Sequence, residues 1–419
     1  MVDAAPFRGL RYDTAVAGDP ASTSAPSYDD LDPITYAAHR TASPYTVLEL
    51  LAPPDATGSY RAAGQALRRW RRTGVLRPEP SPAFYRYEEH ELRRGVPTVQ
   101  RGLLAAVALD EPGRDGAFLT HEDVDPARVA DRRRRLEAVR ADLAPVFALA
   151  TAGPAELRER LAEPPREPPV VALTDEAGVD HRVWAVTDPG QVAALRRALA
   201  PVRVLVADGH HRYAAALAAR VERPEGPWHR TLVYVVDATG DGPEVRGVHR
   251  LVRGVDRAAL RRVGEDFTLE EAPAAAGALR DRLEAVSGRG FGLLVAPPLA
   301  AAVGMASALL RPRDERRLAA RLPQRRSPRW RALDTAVLDH AVLPGLGATA
   351  VEYRADLDAA AAAVRSSRDA LLFLLRPVDV RTAEAFAAAG EHMPAKSTYF
   401  RPKPRAGLVL RALDDGEGG

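Results

Sequence analysis

The 419-residue sequence contains no cysteine, which excludes disulfides and thiolate metal sites and makes a reducing cytoplasm the expected setting. Lysine is almost missing too. Of 59 basic residues only Lys396 and Lys403 are lysines, as expected of a coding background that uses arginine wherever either will serve. Both lysines lie in one segment, MPAKSTYFRPKPRAG (393–407). A compact ammonium and a planar guanidinium are not equivalent at a phosphate or a reacting group, so this segment is a candidate for chemistry. Charge of one sign is also lacking: the net charge is +3. A strong polyanion binder is not implied, and no nucleic-acid partner is expected.

The first residues, MVDAAPFRGLRYD, lack a basic stretch followed by an apolar one, so no signal peptide is expected. One uncharged run, Gly290 to Leu310, is long enough to span a bilayer. Pro297-Pro298 divides it, and the expectation is two short buried strands joined by a turn, with no membrane partner. HExxH, EF-hand and dinucleotide-binding signatures are absent. TGDGPEVRG (239–247) lies between two expected strands, and GEHMPAKS (390–397) carries Ala395 where a phosphate loop needs its second glycine.

What is present is a globular composition, 46% hydrophobic and 27% charged. Strand and helix patterns mix throughout, without internal repeat or long linker, so the fold class is α/β or mixed α+β. The length suits two parts, an N-terminal α/β part over 1–200 and a C-terminal one over 201–419. Residues 83–92 and 98–109 predict strands paired around RRGVP, 231–238 and 244–252 a hairpin around TGDG, and 125–143 a long helix. Arg61 to Gly74 reads as a basic amphipathic helix, and Arg132–Arg135 as a solvated face.

VRVLVADGHHRYAAALAAR (202–220) carries the most chemistry. VRVLV reads as a strand, Asp208-Gly209 as the turn, and His210 onward as a helix. A helix start offers N–H groups without intrahelical partners and a positive dipole end. Gly209 lets a ligand approach the backbone, and His210, His211 and Arg212 add donors in the same turn. The five together predict an anion site, most naturally for phosphate. Asp208 at such a place is also a candidate magnesium ligand or proton acceptor, or simply the helix cap.

ADGHHRYAAAL (207–217) and MPAKSTYFRPKPRAGLVL (393–410) resemble the two signatures of the domain-of-unknown-function family numbered 1015. PFRGLRYD (6–13), SPYTVLEL (43–50), FYRYEE (84–89) and RGLLAAVAL (101–109) match in the family's order. The chain departs from the family pattern at APSYDDL (25–31), at Thr46, and at His121-Glu122-Asp123. The DGHHR turn in turn is similar to the phosphate-binding turn of the ParB and sulfiredoxin-like superfamily, which includes kinases of free serine.

The resemblance implies a ParB/sulfiredoxin-like nucleotide-binding core with additional mixed-sheet elements. It also implies ATP or another nucleotide, with Mg2+, as cofactors. Asp208, His210, His211 and Glu122 would be catalytic. Gly209, Arg212, Lys396, Ser397 and Thr398 would hold phosphate, and Asp208 the metal. The expected function is phosphoryl transfer to a small hydroxylated metabolite such as free serine. The alternatives are a ParB-like nucleotide or DNA-associated switch and a phosphate-ester hydrolase.

Overall fold

The computed structural model describes residues 2–27, 31, 33–51, 59–113, 116–151, 155–223, 225–239 and 242–413. Tyr28–Asp30 of the APSYDDL departure therefore lie outside the described residues. The chain separates into two compact units. Met1–Glu244, Glu384–His392 and Pro402–Gly419 form the first; Val245–Ala383 and Met393–Arg401 form the second. The expected boundary at residue 200 falls inside the first unit, because strands on both sides of it belong to one sheet.

That sheet has nine strands: β1 (Ala4–Ala5), β2 (Phe84–Arg93), β3 (Val96–Ala108), β4 (Phe118–Leu119), β5 (Val146–Ala150), β6 (Val171–Thr174), β7 (Asp180–Val186), β8 (Val204–Asp208) and β9 (Arg230–Asp237). Their order is β4-β8-β5-β9-β3-β2-β7-β6, with β1 added against β3. The β4–β8 and β5–β9 pairs are parallel and the others antiparallel. The β2–β3 hairpin forms where expected. Arg93 pairs with Val96; Arg94 and Gly95 take φ of 51° and 81°, a primed turn whose twist suits the strands.

The hairpin expected around TGDG does not form. β9 pairs with β3 and β5 instead. Both edges of β9 are taken by β3 and β5, and both edges of 249–253 by 350–354 and 370–374, so neither has an edge left for the other.

Helices cover one face of this sheet: α1 (Ala155–Ala162), α2 (Pro189–Leu199) and α3 (His210–Glu222). Leu157 and Leu161, Leu195 and Leu199, and Tyr213 from them pack on Leu103, Ala148, Val206 and Val235 of the sheet. The segment 402–405 is bonded to the sheet through its main chain and through Lys403. Pro402 O accepts from Gln100 Nε2 at 3.2 Å, and the Arg405 N–H donates to Tyr87 Oη at 3.4 Å. The long helix expected over 125–143 runs from Pro126 to Val139 and ends at Arg140 in left-handed conformation. Its arginine run is not wholly solvated: Arg135 is buried and its Nη1 donates to Leu51 O at 2.6 Å.

The second unit contains a six-stranded antiparallel sheet in the order 267–271, 307–312, 291–295, 370–374, 249–253, 350–354. Between Phe291–Val295 and Ser307–Pro312 the chain forms a helix, Pro297–Val303, instead of the expected simple turn. Proline suits a first helical turn, the alanines propagate it, and Gly304 at φ 72° ends it. Among the described residues no helix is long and apolar enough to cross a membrane.

Candidate anion site at the start of helix α3

Strand β8 delivers Asp208 to the end of the sheet through a bulge. Val206 faces Ala148 and Asp208 faces Phe147, leaving Ala207 as the extra residue. Gly209 follows at φ 91° and ψ 25° as the helix cap, and no side chain caps the helix. A side chain here would be strained by that φ, and its Cβ would lie 3.0 Å from the Arg212 guanidinium carbon. Gly209→Ala is expected to cost about 1–2 kcal/mol by the left-handed conformation alone. Urea unfolding of the variant checks this, and an unchanged midpoint would show that the turn tolerates a Cβ.

Asp208 is therefore not the cap. Lys403 Nζ donates to its Oδ1 at 2.7 Å, and Arg212 Nη2 donates to Oδ2. Arg212 also bonds Pro145 O, so its guanidinium is folded back across the turn. Burial pushes the Asp208 carboxyl up, but Lys403 and Arg212 outweigh it and hold the group well below the usual carboxylate range. Among the described residues no group of three or more acidic or histidine side chains is placed to hold a metal. Both Asp208 oxygens already accept from cations, so a magnesium ion at Asp208 does not fit.

His210 is 7% exposed, and its Nε2 has no hydrogen-bond partner among the described residues. An imidazole nitrogen buried without a partner is costly, which is the mark of a position that expects a ligand or an ordered water. The ring of His121, fully buried, meets that of His210 edge-on at 4.8 Å and 77°. Burial, with His392 adding to it, brings His121 down to about 4. Burial, with His121 beside it, holds His210 well below the ordinary histidine value. Both rings are thus neutral near pH 7.

His211 turns the other way, and its Nε2 accepts the Asp125 N–H at 3.0 Å. His392 lies 2.6 Å from Asp123 Oδ1 through Nδ1, and 3.5 Å from Thr120 Oγ1 through Nε2. Glu122, half-buried, stands between His121 and Asp123.

Lys396, Ser397 and Thr398 belong to the second unit. Lys396 is exposed, with φ 57°, and its carbonyl accepts from Arg250 Nη1 at 3.1 Å. Arg250 is fully buried and forms a two-bond pair with Asp339 at 2.9 and 2.7 Å. Ser397 is buried; its hydroxyl lies 2.6 Å from Pro394 O and 3.0 Å from Thr335 Oγ1. These local bonds give the serine a structural job inside its own unit.

Lys403, His121 and His392 are the residues sequence reasoning missed at Asp208 and His210. Lys403 was flagged only by the scarcity of lysine. His121 and His392 carried no distinguishing spacing.

The sequence matches the model of a family described as protein of unknown function (DUF1015) over residues 4–336. The chain belongs to the DUF1015 family. No curated protein matches it. Several solved structures are similar at low identity, among them the following three. A C-terminally truncated SbnI from Staphylococcus aureus is 14% identical, with 75% of this chain and 84% of that one covered and a TM-score of 0.34.

A free serine kinase in complex with AMP is 13% identical, with 73% and 94% covered and a TM-score of 0.37. A conserved hypothetical protein from Pyrococcus furiosus is 12% identical, with 71% and 93% covered and a TM-score of 0.35. At these scores the likenesses carry no argument about the chemistry of this DUF1015 member.

Proposed function

We propose that this protein is a nucleotide-dependent phosphotransferase acting on a small hydroxylated metabolite, with free serine as the acceptor the family resemblance implies. One observation supports the reading above others. A 13-residue helix begins without a side-chain cap, at a glycine that leaves its backbone approachable, beside a buried His210 Nε2 that lacks a partner. Backbone N–H groups at such a start, with the dipole behind them, suit phosphate oxygens.

In this reading Asp208 is a counter-ion in place of a base or metal ligand. It fixes Lys403 and Arg212 so that their charge is available where negative charge develops during transfer. His210 offers a hydrogen bond from a neutral ring. Glu122 takes the proton of the acceptor hydroxyl, the role the family resemblance implies for it, since Asp208, held so far down, is a poor base. Bound nucleotide supplies the phosphoryl group and the leaving diphosphate or monophosphate. The protein's part is positioning and charge stabilisation.

The test is incubation of the purified protein with end-labelled ATP, ADP or CTP and with serine, then with pools of amino acids and hydroxy acids. Labelled phosphoserine or another labelled phosphate ester is expected. Label released only as inorganic phosphate would establish the hydrolase instead. Saturable nucleotide binding with no transfer to any acceptor would overturn the phosphotransferase in favour of a switch. A cleft of about 700 Å3 bordered by Arg68, Arg71 and Arg72 is the one observation that favours DNA contacts for such a switch. Salt-sensitive DNA retention would then accompany nucleotide binding.

A further inference from the structure

A second concavity in the first unit, about 470 Å3, lies apart from the helix start just described and does not depend on its function. Its floor is a cross-strand row. Trp184 of β7 pairs with Arg86 of β2, which pairs with Leu103 of β3. The same row continues through Val235 and Ala148 to Val206 of β8. Five strand spacings, about 24 Å along the sheet, therefore separate Trp184 from the strand that carries Asp208. Helices α1 and α2 add Leu161 and Leu195 to the apolar part of the wall.

The charges divide into two kinds. Arg86 is buried and already compensated: its Nε donates to Glu88 at 2.8 Å, and its guanidinium lies 5.9 Å from the centre of the Trp184 ring. Asp188 is likewise occupied, accepting the Gln191 N–H at 2.8 Å as the cap of α2. Trp184 is held in place because its indole N–H donates to Glu167 O at 3.0 Å. The mouth is different. Arg166 and Glu167 are both exposed there, and no hydrogen bond or ion pair among the described residues occupies either side chain. Next to them Arg160 finds its nearest carboxylates only at 3.7 and 3.8 Å, beyond hydrogen-bond length.

An apolar, aromatic floor beneath a mouth that carries both signs, Arg166 and Arg160 with Glu167 and Glu163, selects for a ligand with the matching pattern. A simple carboxylate would leave Glu167 facing its negative charge; a simple amine would do the same to Arg166. We infer that this cavity binds a free amino acid, or an equivalent zwitterion, with a bulky apolar side chain. The side chain lies against Trp184, the carboxylate meets the Arg166 fork, and the ammonium meets Glu167. The space exceeds that of a benzyl-bearing amino acid, so the floor can be covered without rearrangement.

Calorimetric titration of the full chain with three probes tests the inference. L-phenylalanine carries both charges, 3-phenylpropionate lacks the ammonium, and phenethylamine lacks the carboxylate. L-phenylalanine is expected to bind saturably at one site, with the other two at least about tenfold weaker. Arg166→Gln should weaken L-phenylalanine to the level of phenethylamine, and Glu167→Gln to the level of 3-phenylpropionate. Both substitutions are at exposed positions and leave the fold intact. Absence of saturable binding by L-phenylalanine, equal affinity for the three probes, or indifference to both substitutions overturns the proposal. Nucleotide binding and phosphoryl transfer are read separately, so failure here and failure of the phosphotransferase reading are distinguishable.

Discussion

Replacing Lys403 with methionine is expected to destabilise the protein by about 1–3 kcal/mol and, on the proposed function, to abolish phosphate binding at the start of α3. Lys403 and Asp208 are 11% and 16% exposed at their side chains, so water gives this ion pair little screening. Removing the ammonium leaves a carboxylate in a buried place with only Arg212 beside it. The large term is the buried Asp208 Oδ1 left without a donor, and not the worth of the original bond.

A double-mutant cycle separates the two. Asp208→Asn with Lys403→Met removes both charges of the pair but leaves the Arg212 guanidinium with only a neutral acceptor, so the loss is expected to persist, and phosphate binding stays absent. Urea unfolding and a thermal-shift titration with inorganic phosphate give both readings. If Lys403→Met unfolds at the wild-type midpoint, the pair has no structural role. If it still takes phosphate like the wild type, Lys403 is not part of the site.

Glu89 carries the other large effect, through pH. It sits on β2 with no exposure, accepting from Gln100 Nε2 and lying 3.3 Å from Tyr87 Oη. Tyr87 Oη is 2.7 Å from His181 Nδ1, and His181 Nε2 is 3.0 Å from Asp175. Burial pushes the Glu89 carboxyl up to about 8, against the hydrogen bonds from Gln100, Tyr234 and Tyr87. The ordinary value is 4.5, so between 4.5 and 8 the folded protein holds a proton that the unfolded chain has released.

The folded state is therefore favoured by this group below about 4.5, and that contribution is lost as pH rises towards 8. Each pH unit in the window is worth about 1.4 kcal/mol. Glu89→Gln keeps the shape and removes the titration. The variant is expected to gain on the wild type by several kcal/mol between pH 5 and 8, on the order of 4 kcal/mol in total. Urea midpoints measured across that range decide it; parallel curves for the two proteins would mean that Glu89 is ionised at neutral pH or absent from the balance. His121 acts at the other end. Held at about 4 where an exposed histidine has 6.5, it stays neutral when folded, so its contribution is lost as pH falls below about 6.5.

Much of the local architecture was legible because it depends on neighbours in sequence. The Arg94-Gly95 pair between two strand-like runs forms the primed turn of the β2–β3 hairpin. An aspartate-proline start specifies α2 and the helix over Pro126–Val139, and Asp188 and Asp125 indeed cap them. The strand–Gly209–helix unit that opens the candidate anion site follows from the same short-range rules, and so did the candidates Asp208 to Arg212.

What those candidates do was not legible. His210 and His211 are adjacent and chemically identical. One is buried against His121 and lacks a partner at Nε2, while the other accepts a backbone N–H from the next helix. Only packing distinguishes them. The hairpin expected around TGDG failed for a related reason. Alternation and turn residues report what a segment can pair with, but β3 and β5, distant in sequence, take both edges of β9.

The sequence by itself settled the family, the mixed α/β class and the strand–glycine–helix turn at Gly209, since each is written in contiguous residues whose backbone preferences act over a few ångströms. Tertiary structure alone decided that Lys403, 195 residues away in sequence, neutralises Asp208, and that a carboxylate suited to magnesium is a counter-ion. Electrostatic roles follow distance in space and exclusion of water, and neither quantity exists until the chain has folded.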